Sequence, residues 1–218
     1  MGRREKERLI IYKKEDIFIP FDTMKDVDWE QNTRKIIEAV AQYWENSLKR
    51  PISQARISEL EKRLGTTLPE TQKIFYTTFG LADISENLFR LEKIDWIEKV
   101  FEREGTQEDK WWIPDYPTLS EEDKKLLPFL VAFSGGSTSG VNGNLFCFHC
   151  ETKEIYHFES EKNSLTRFFA TFDDYLKGSL IFSQWYLADC SVSEEILKWT
   201  DEIAGDLFGK EIVDKWLC

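Results

Sequence analysis

Histidine is scarce in this chain and cysteine nearly so. Among 218 residues there are two histidines, His149 and His157, and four cysteines, Cys147, Cys150, Cys190 and Cys218. Two imidazoles leave little material for histidine-based acid–base catalysis or a histidine-rich metal site. The cytoplasm is the default compartment, and there the four cysteines are expected as reduced thiols rather than a disulfide framework. The 11 glycines and 6 prolines exclude a fibrous or low-complexity chain. Long apolar runs are missing too. The stretch Leu126–Phe133 is short against the roughly 18 residues that span a bilayer. The N-terminus, Met1-Gly2-Arg3-Arg4-Glu5-Lys6, lacks a signal-peptide core. Lys6 breaks the myristoylation pattern, and the terminal Cys218 does not open a prenylation box.

Positive charge is in deficit. Forty Asp and Glu face 29 Lys and Arg, a net of −11. The surplus grows along the chain: residues 1–50 hold 11 bases and 10 acids, residues 111–218 hold 9 and 18. Such a surface repels phosphate backbones, which argues against direct nucleic-acid binding and suits a basic partner or plain solubility. What is abundant is aromatic: 16 Phe, 8 Trp and 7 Tyr. A sizeable core can be buried with them.

Residues 1–28 are charged but carry apolar patches at Leu9–Tyr12 and Ile17–Phe21, which predicts packing against folded structure rather than a free tail. Trp29, Ile36, Ile37, Val40, Tyr43, Trp44 and Leu48 recur at helical spacing, a helix over about 29–48 capped by Asp28. A second helix, capped by Ser53 and stopped by Gly65, buries Ile57, Leu60 and Leu64. A third opens at Pro69 and ends at Gly80. Residues 88–97 suit a strand and a short helix, Trp111–Pro117 an aromatic loop, and Ser120–Asp123 the start of a short helix.

From Phe129 the apolar pattern becomes that of strands: Phe129–Phe133, then Leu145–Cys150 and Ile155–Glu159 as a hairpin, with the Gly/Ser/Asn-rich loop Ser134–Asn144 before it. Leu165, Phe168, Phe169, Phe172, Tyr175 and Leu176 predict an amphipathic helix ended by Gly178. Ser191–Glu194 matches a capping box before a last helix. Helices, then hairpin, then helices predict an α+β single domain: a central, mostly antiparallel sheet flanked by helices. Its expected limits are 51–187. An N-terminal extension, 1–50, precedes it, and a C-terminal helical extension, 188–218, packs on it.

The residues that could carry chemistry do not assemble on paper. With a two-residue turn at Thr152-Lys153, position 149 lies opposite 156 and 157 opposite 148, so the two imidazoles point to opposite faces. Cys147 and Cys150 alternate apart along the same strand, and one Cys-x-x-Cys is half of a structural zinc site. Residues 135–142 resemble a phosphate cradle, but Val141 stands where the lysine belongs, and no serine has the glycine spacing of a nucleophile elbow. The pairs Asp173-Asp174 and Glu194-Glu195 and the triplet Glu121-Glu122-Asp123 are adjacent, and neighbours in sequence do not share a helix face. No catalytic, cofactor or metal residue is assigned.

Several blocks share one resemblance. Ile57–Gly65, Leu68-Pro69 and Phe75–Gly80, then Leu127–Phe133, Gly143–Phe148, Ile155–Phe158 and Ser164–Leu176, occur in an order similar to the SUKH superfamily. Residues 53–178 carry the likeness. Many members place Asp and Gly after the first central strand, where this chain has Ser134-Gly135-Gly136 and a longer loop. The resemblance implies the fold given above and a non-catalytic binding protein. It points to a cytoplasmic immunity protein that blocks a toxin, a basic nuclease, by direct binding. A regulatory scaffold of the cell-wall-assembly type is the alternative, and an enzyme of unrecognised type the third. Expected partner-binding residues are Trp111, Trp112 and Tyr116 as anchors, Asp115, Glu121, Glu122 and Asp123 as an acidic rim, and Ser137, Ser139 and Asn142 in the polar loop. Elemental analysis is expected to find no stoichiometric zinc; one zinc per chain, lost in Cys147→Ser, would overturn the structural reading of the cysteines.

Overall fold

The strand pattern beginning near Leu130 organises the molecule. The computed structural model describes residues 9–85, 88–105, 119–135 and 144–216. Its elements are α1 (Trp29–Tyr43), α2 (Gln54–Leu64), α3 (Glu70–Phe79), β1 (Asp95–Trp96), α4 (Ile97–Gly105), α5 (Glu121–Leu126), β2 (Leu130–Gly135), β3 (Leu145–His149), β4 (Ile155–Glu159), β5 (Ser164–Phe169), α6 (Phe172–Ser183), α7 (Glu195–Phe208) and α8 (Lys210–Trp216). The five strands form one antiparallel sheet in sequence order, so the fold is α+β, as expected. The chain divides into two compact units, residues 49–176 and residues 1–48 with 177–218. No helix among the described residues is long and apolar enough to cross a membrane.

In the first unit both faces of the sheet are buried, which explains the continuous apolar runs of β2 and β3. On one face Ile97, Val100 and Phe101 of α4, with Leu119 and Leu127, pack on Leu130, Ala132, Leu145, Cys147 and Phe158. On the other lie Phe133, Phe146, Phe148, Phe172 and Tyr175, with Phe133 and Phe146 each 5.0 Å from the Tyr175 ring. A bulge at Phe133 permits this. Ala132 pairs with Cys147 but Ser134 pairs with Phe146, so Phe133 is the extra residue. A bulge turns two consecutive side chains toward one face. Phe133 and Ser134 thus both meet Tyr175, whose hydroxyl donates to Ser134 Oγ at 3.0 Å.

The helices before the sheet follow the sequence closely. Ser53 Oγ accepts from the Arg56 N–H at the start of α2, and Gly65 ends it at φ 73. Gly80, at φ 66, ends α3. A Cβ there would fall 2.2 Å from the Arg50 carbonyl oxygen, so only glycine fits. Arg63 reaches from α2 to donate to the carbonyls of Leu91 and Ile94, 2.7 and 2.8 Å away, which pins the segment entering β1.

Several expectations are corrected. The hairpin turn has four residues, Cys150–Lys153, not two, and 157 lies opposite 146, 155 opposite 148. Lys153 takes the left-handed conformation, φ 63, and its ammonium donates to Thr66 Oγ1 and to the carbonyls of Thr67 and Cys150. That anchorage to the α2–α3 loop holds the longer turn. The slip is two residues, so the histidines still take opposite faces. His157 is buried between Phe146 and Phe168, while His149 stacks on Phe129 and accepts from the Glu151 and Thr152 N–H groups.

The single helix expected over 165–176 is a strand followed by a helix. Ser164–Phe169 pairs with β4 after a tight turn, Ser160–Asn163, in which Asn163 adopts φ 48. Thr171 then accepts from the Asp174 N–H, and α6 begins. Helical spacing and strand alternation overlap in a run this rich in Phe. Gly178 does not end α6, which continues to Ser183. In the second unit the Trp216 ring occupies the space a Cβ at 178 would fill, 2.5 Å from that position.

Helix α1 stops at Tyr43 rather than near 48. The Asn46 N–H bonds the Ala41 carbonyl and the Glu45 N–H bonds that of Gln42, with Glu45 at φ 53. This is a Schellman closure with glutamate where glycine is usual, so no glycine announced it. Asp28 makes no side-chain cap. Asp26 instead accepts from the Asp22 and Thr23 N–H groups in the preceding turn. The capping box at Ser191–Glu194 is also absent: the Ser191 N–H and hydroxyl both bind Asp189, and α7 starts at Glu195 with no side-chain cap. Residues 9–28, the described part of the N-terminal leader, are held within the second unit. Ile11, Ile17, Phe21 and Met24 are buried, and Ile11 bonds the Leu187 carbonyl at 2.8 Å while accepting from Asp189 at 2.9 Å.

Two outcomes are expected. Ser134→Ala, by removing the acceptor of the Tyr175 hydroxyl in the core, should cost about 1–3 kcal/mol, and Tyr175→Phe added to it should restore part of the loss; strictly additive denaturation free energies would contradict the pairing. Burial pushes the His157 pKa down from 6.5 to about 4. Between those values the unfolded chain binds a proton that the folded chain does not. Stability therefore falls as pH drops through that window, by about 3 kcal/mol. His157→Phe should flatten the profile there, and an unchanged slope in urea titrations would refute it.

Candidate functional site

The residues expected to bind a partner divide by position. Trp111, Trp112, Asp115, Tyr116, Ser137, Ser139 and Asn142 lie outside the described residues. Glu121, Glu122 and Asp123 form the first turn of α5, where Ser120 Oγ accepts from the Asp123 N–H at 3.0 Å. Acid there complements the helix dipole, and Glu121 also pairs with Lys124 at 2.7 Å. Glu121 and Glu122 are exposed and Asp123 half-buried.

The frame of the polar loop is well made. Gly135 closes β2 with no room for a Cβ, which would meet the Asn144 carbonyl at 2.8 Å. Asn144 opens the return, its side-chain oxygen accepting from the Ser160 N–H at 2.9 Å. Ser134 and Gly135, expected in the loop, are instead the last residues of β2, and α5 precedes the start of that strand at Leu130, about 20 Å of strand away.

Two groups with shifted titration, Cys147 and Lys153, have structural surroundings. The Cys147 thiol is buried beside Ala132 and Leu145, and burial pushes its pKa up, away from the reactive thiolate. Burial also pushes the Lys153 ammonium down, but its donors are turned to carbonyls and a hydroxyl, a structural clamp. Among the described residues no group of three or more His, Cys, Asp or Glu side chains is placed to hold a metal.

The second unit presents a surface feature that periodicity concealed. After α6 a 3-10 turn, Gln184–Leu187, brings positions 184 and 187 onto one side. Gln184 is fastened inward, donating to the Phe18 carbonyl at 2.9 Å and accepting from the Phe18 N–H at 3.1 Å. Leu187 is buried, and its carbonyl accepts from Ile11. Trp185 and Tyr186 are thereby turned away from that side. They meet Tyr43 and Trp44 at the closed end of α1. Tyr186 is the centre: Trp185 stacks on it at 5.5 Å, Tyr43 at 6.0 Å, and Trp44 meets it edge-on at 5.2 Å. Tyr43 and Trp44 stand at 89° to each other, 5.1 Å apart.

This cluster is unusually wet. Tyr43, Trp44 and Trp185 are 45%, 49% and 42% exposed, whereas tryptophan is mostly buried in folded proteins. The sequence reading placed Tyr43, Trp44 and Leu48 on the apolar stripe of α1, and all three are exposed because the helix ends before that stripe is complete. The one signal available beforehand was the Trp185-Tyr186 dipeptide in a segment with no clear period.

The family model described as the SMI1 / KNR4 family (SUKH-1) matches residues 51–178. No curated protein matches the chain. The matched span contains the five strands and α2–α5, and it ends within α6. Tyr43, Trp44, Trp185 and Tyr186 fall outside it.

Proposed function

The chain belongs to the SMI1 / KNR4 family (SUKH-1), and on that premise we propose that it is a non-catalytic binding protein that neutralises a toxin by stoichiometric association. The family match carries the proposal, because the family includes immunity proteins beside the regulators that name it. Charge supports a basic target. A nuclease that grips phosphate must present Lys and Arg, and 40 acids against 29 bases make this chain complementary to such a surface. Complementary charge chiefly speeds encounter, so the association rate should fall as salt rises. Action in the cytoplasm, where the toxin would strike, belongs to the same proposal.

Trp111, Trp112 and Tyr116 are proposed as anchors, with Asp115, Glu121, Glu122 and Asp123 supplying acid around them and Ser137, Ser139 and Asn142 adding polar contacts. The test is co-expression with any toxin domain encoded beside this gene. Growth should be restored when the two proteins are made in equal amounts, and a one-to-one complex should elute together. Trp112→Ala should weaken that complex by about 2 kcal/mol while leaving the fold intact. Absence of both rescue and complex would reject the toxin reading and favour a regulatory scaffold.

A further inference from the structure

The Tyr43–Trp44–Trp185–Tyr186 cluster lies outside the span shared with the family, in the unit built from the two ends of the chain. Four aromatic rings gathered around Tyr186, three of them nearly half exposed, make an apolar platform at the surface. The ring centroids are 5–6 Å apart, so the rings fill the space between one another, and a ligand group must lie on the platform rather than within it. What suits such a surface is decided by charge. Glu45 follows Trp44 directly and is exposed. The carboxyl end of the 15-residue α1, the negative end of its dipole, terminates at Tyr43. The unit as a whole carries 18 Asp and Glu against 13 Lys and Arg.

We propose that this platform is a docking surface for an arginine side chain on a basic segment of the protein partner. The inference rests on the protein-binding reading above and adds to it where and by what chemistry a partner is held. Arginine fits better than lysine because its planar guanidinium stacks on aromatic faces and sheds water more easily. Arginine, tryptophan and tyrosine are also the residues that dominate binding energy at interfaces. A second copy of this chain is a poorer occupant, since two molecules of net charge −11 repel one another. The two segments that carry the rings are tied in place, by Gln184 and Leu187 on one side and by the Schellman closure of α1 on the other, so little backbone freedom is left to lose.

The experiment is a titration of the full chain with the peptide acetyl-Arg-Gly-Arg-Gly-Arg-amide, followed by the indole N–H resonances in 15N-labelled protein. Trp44→Phe and Trp185→Phe assign the two signals. Both resonances should move while that of the buried Trp216 stays in place, the matched lysine peptide acetyl-Lys-Gly-Lys-Gly-Lys-amide should bind more weakly, and Trp44→Ala/Trp185→Ala should weaken the arginine peptide about tenfold. Unmoved Trp44 and Trp185 signals would overturn the proposal. So would equal affinity for the two peptides, which marks unspecific charge attraction. Sedimentation showing a dimer that dissolves in Trp44→Ala would also overturn it, because a second copy would then cover the platform. The peptide result is independent of toxin rescue. Rescue failing while the arginine peptide binds would reject the toxin reading alone, and the reverse would reject the platform alone.

Discussion

Burial of β2 and β3 on both faces is the constraint on which the rest of the first unit depends. Leu130 to Ser134 lose contact with solvent completely, and so do Cys147 and Phe148 opposite them. A sheet buried on both sides needs two layers of cover. On one face α4 brings Ile97, Val100 and Phe101 against mostly aliphatic and small strand residues, with Phe101 edge-on to Phe158 at 5.1 Å, while a continuous cluster of rings from α3, α6 and the strands fills the other. The bulge at Phe133 links these demands. It spends one extra residue of β2 to turn Phe133 and Ser134 the same way, which gives the buried Tyr175 hydroxyl its acceptor. Without that acceptor the Tyr175 hydroxyl would lose this bond in the core.

The two units are held together internally by different means. The family unit relies on area: wide aromatic contact, strand pairing, and a few anchors such as Arg63 and Lys153 that join loops by charge-assisted bonds to carbonyls. The unit of the two chain ends relies on threading. Ile11 exchanges backbone bonds with Leu187 and Asp189, Phe18 is gripped at both its N–H and carbonyl by Gln184, and Lys14 pairs with Glu202 at 2.7 Å. Leader and tail therefore close on one another. The same bonds that hold the leader turn Trp185 and Tyr186 outward, so the aromatic surface is a by-product of tying the ends together.

Legibility followed the strength of local signals. Ser53, Gly65, Gly80 and Ser120 each work by a mechanism confined to a few residues, and the helix boundaries they mark were readable. Where the deciding partner was distant, reading failed. Ser164–Phe169 is a strand because Glu159, Phe158 and His157 stand opposite, not because of its own spacing. Gly178 stays helical because Trp216, 38 positions later, lies across it. Glu45 ends α1 through backbone bonds that any residue can make at a cost, so its identity carried no hint.

For the site the contrast is sharper. Composition alone established an acidic, aromatic-rich chain with too few histidines to suggest acid–base chemistry, and the order of its sequence blocks carried the resemblance to the family whose model matches residues 51–178. Those properties depend on residue type and on neighbours close in sequence. Which aromatics reach the surface was decided only by the tertiary structure. Tyr43 and Trp44 read as core until the helix stopped short, and Trp185 and Tyr186 read as nothing until Gln184 and Leu187 were fastened beneath them. Exposure is a property of what packs around a residue, and contacts made across more than 160 positions of chain, as between Phe18 and Gln184, leave no periodicity for a sequence to display.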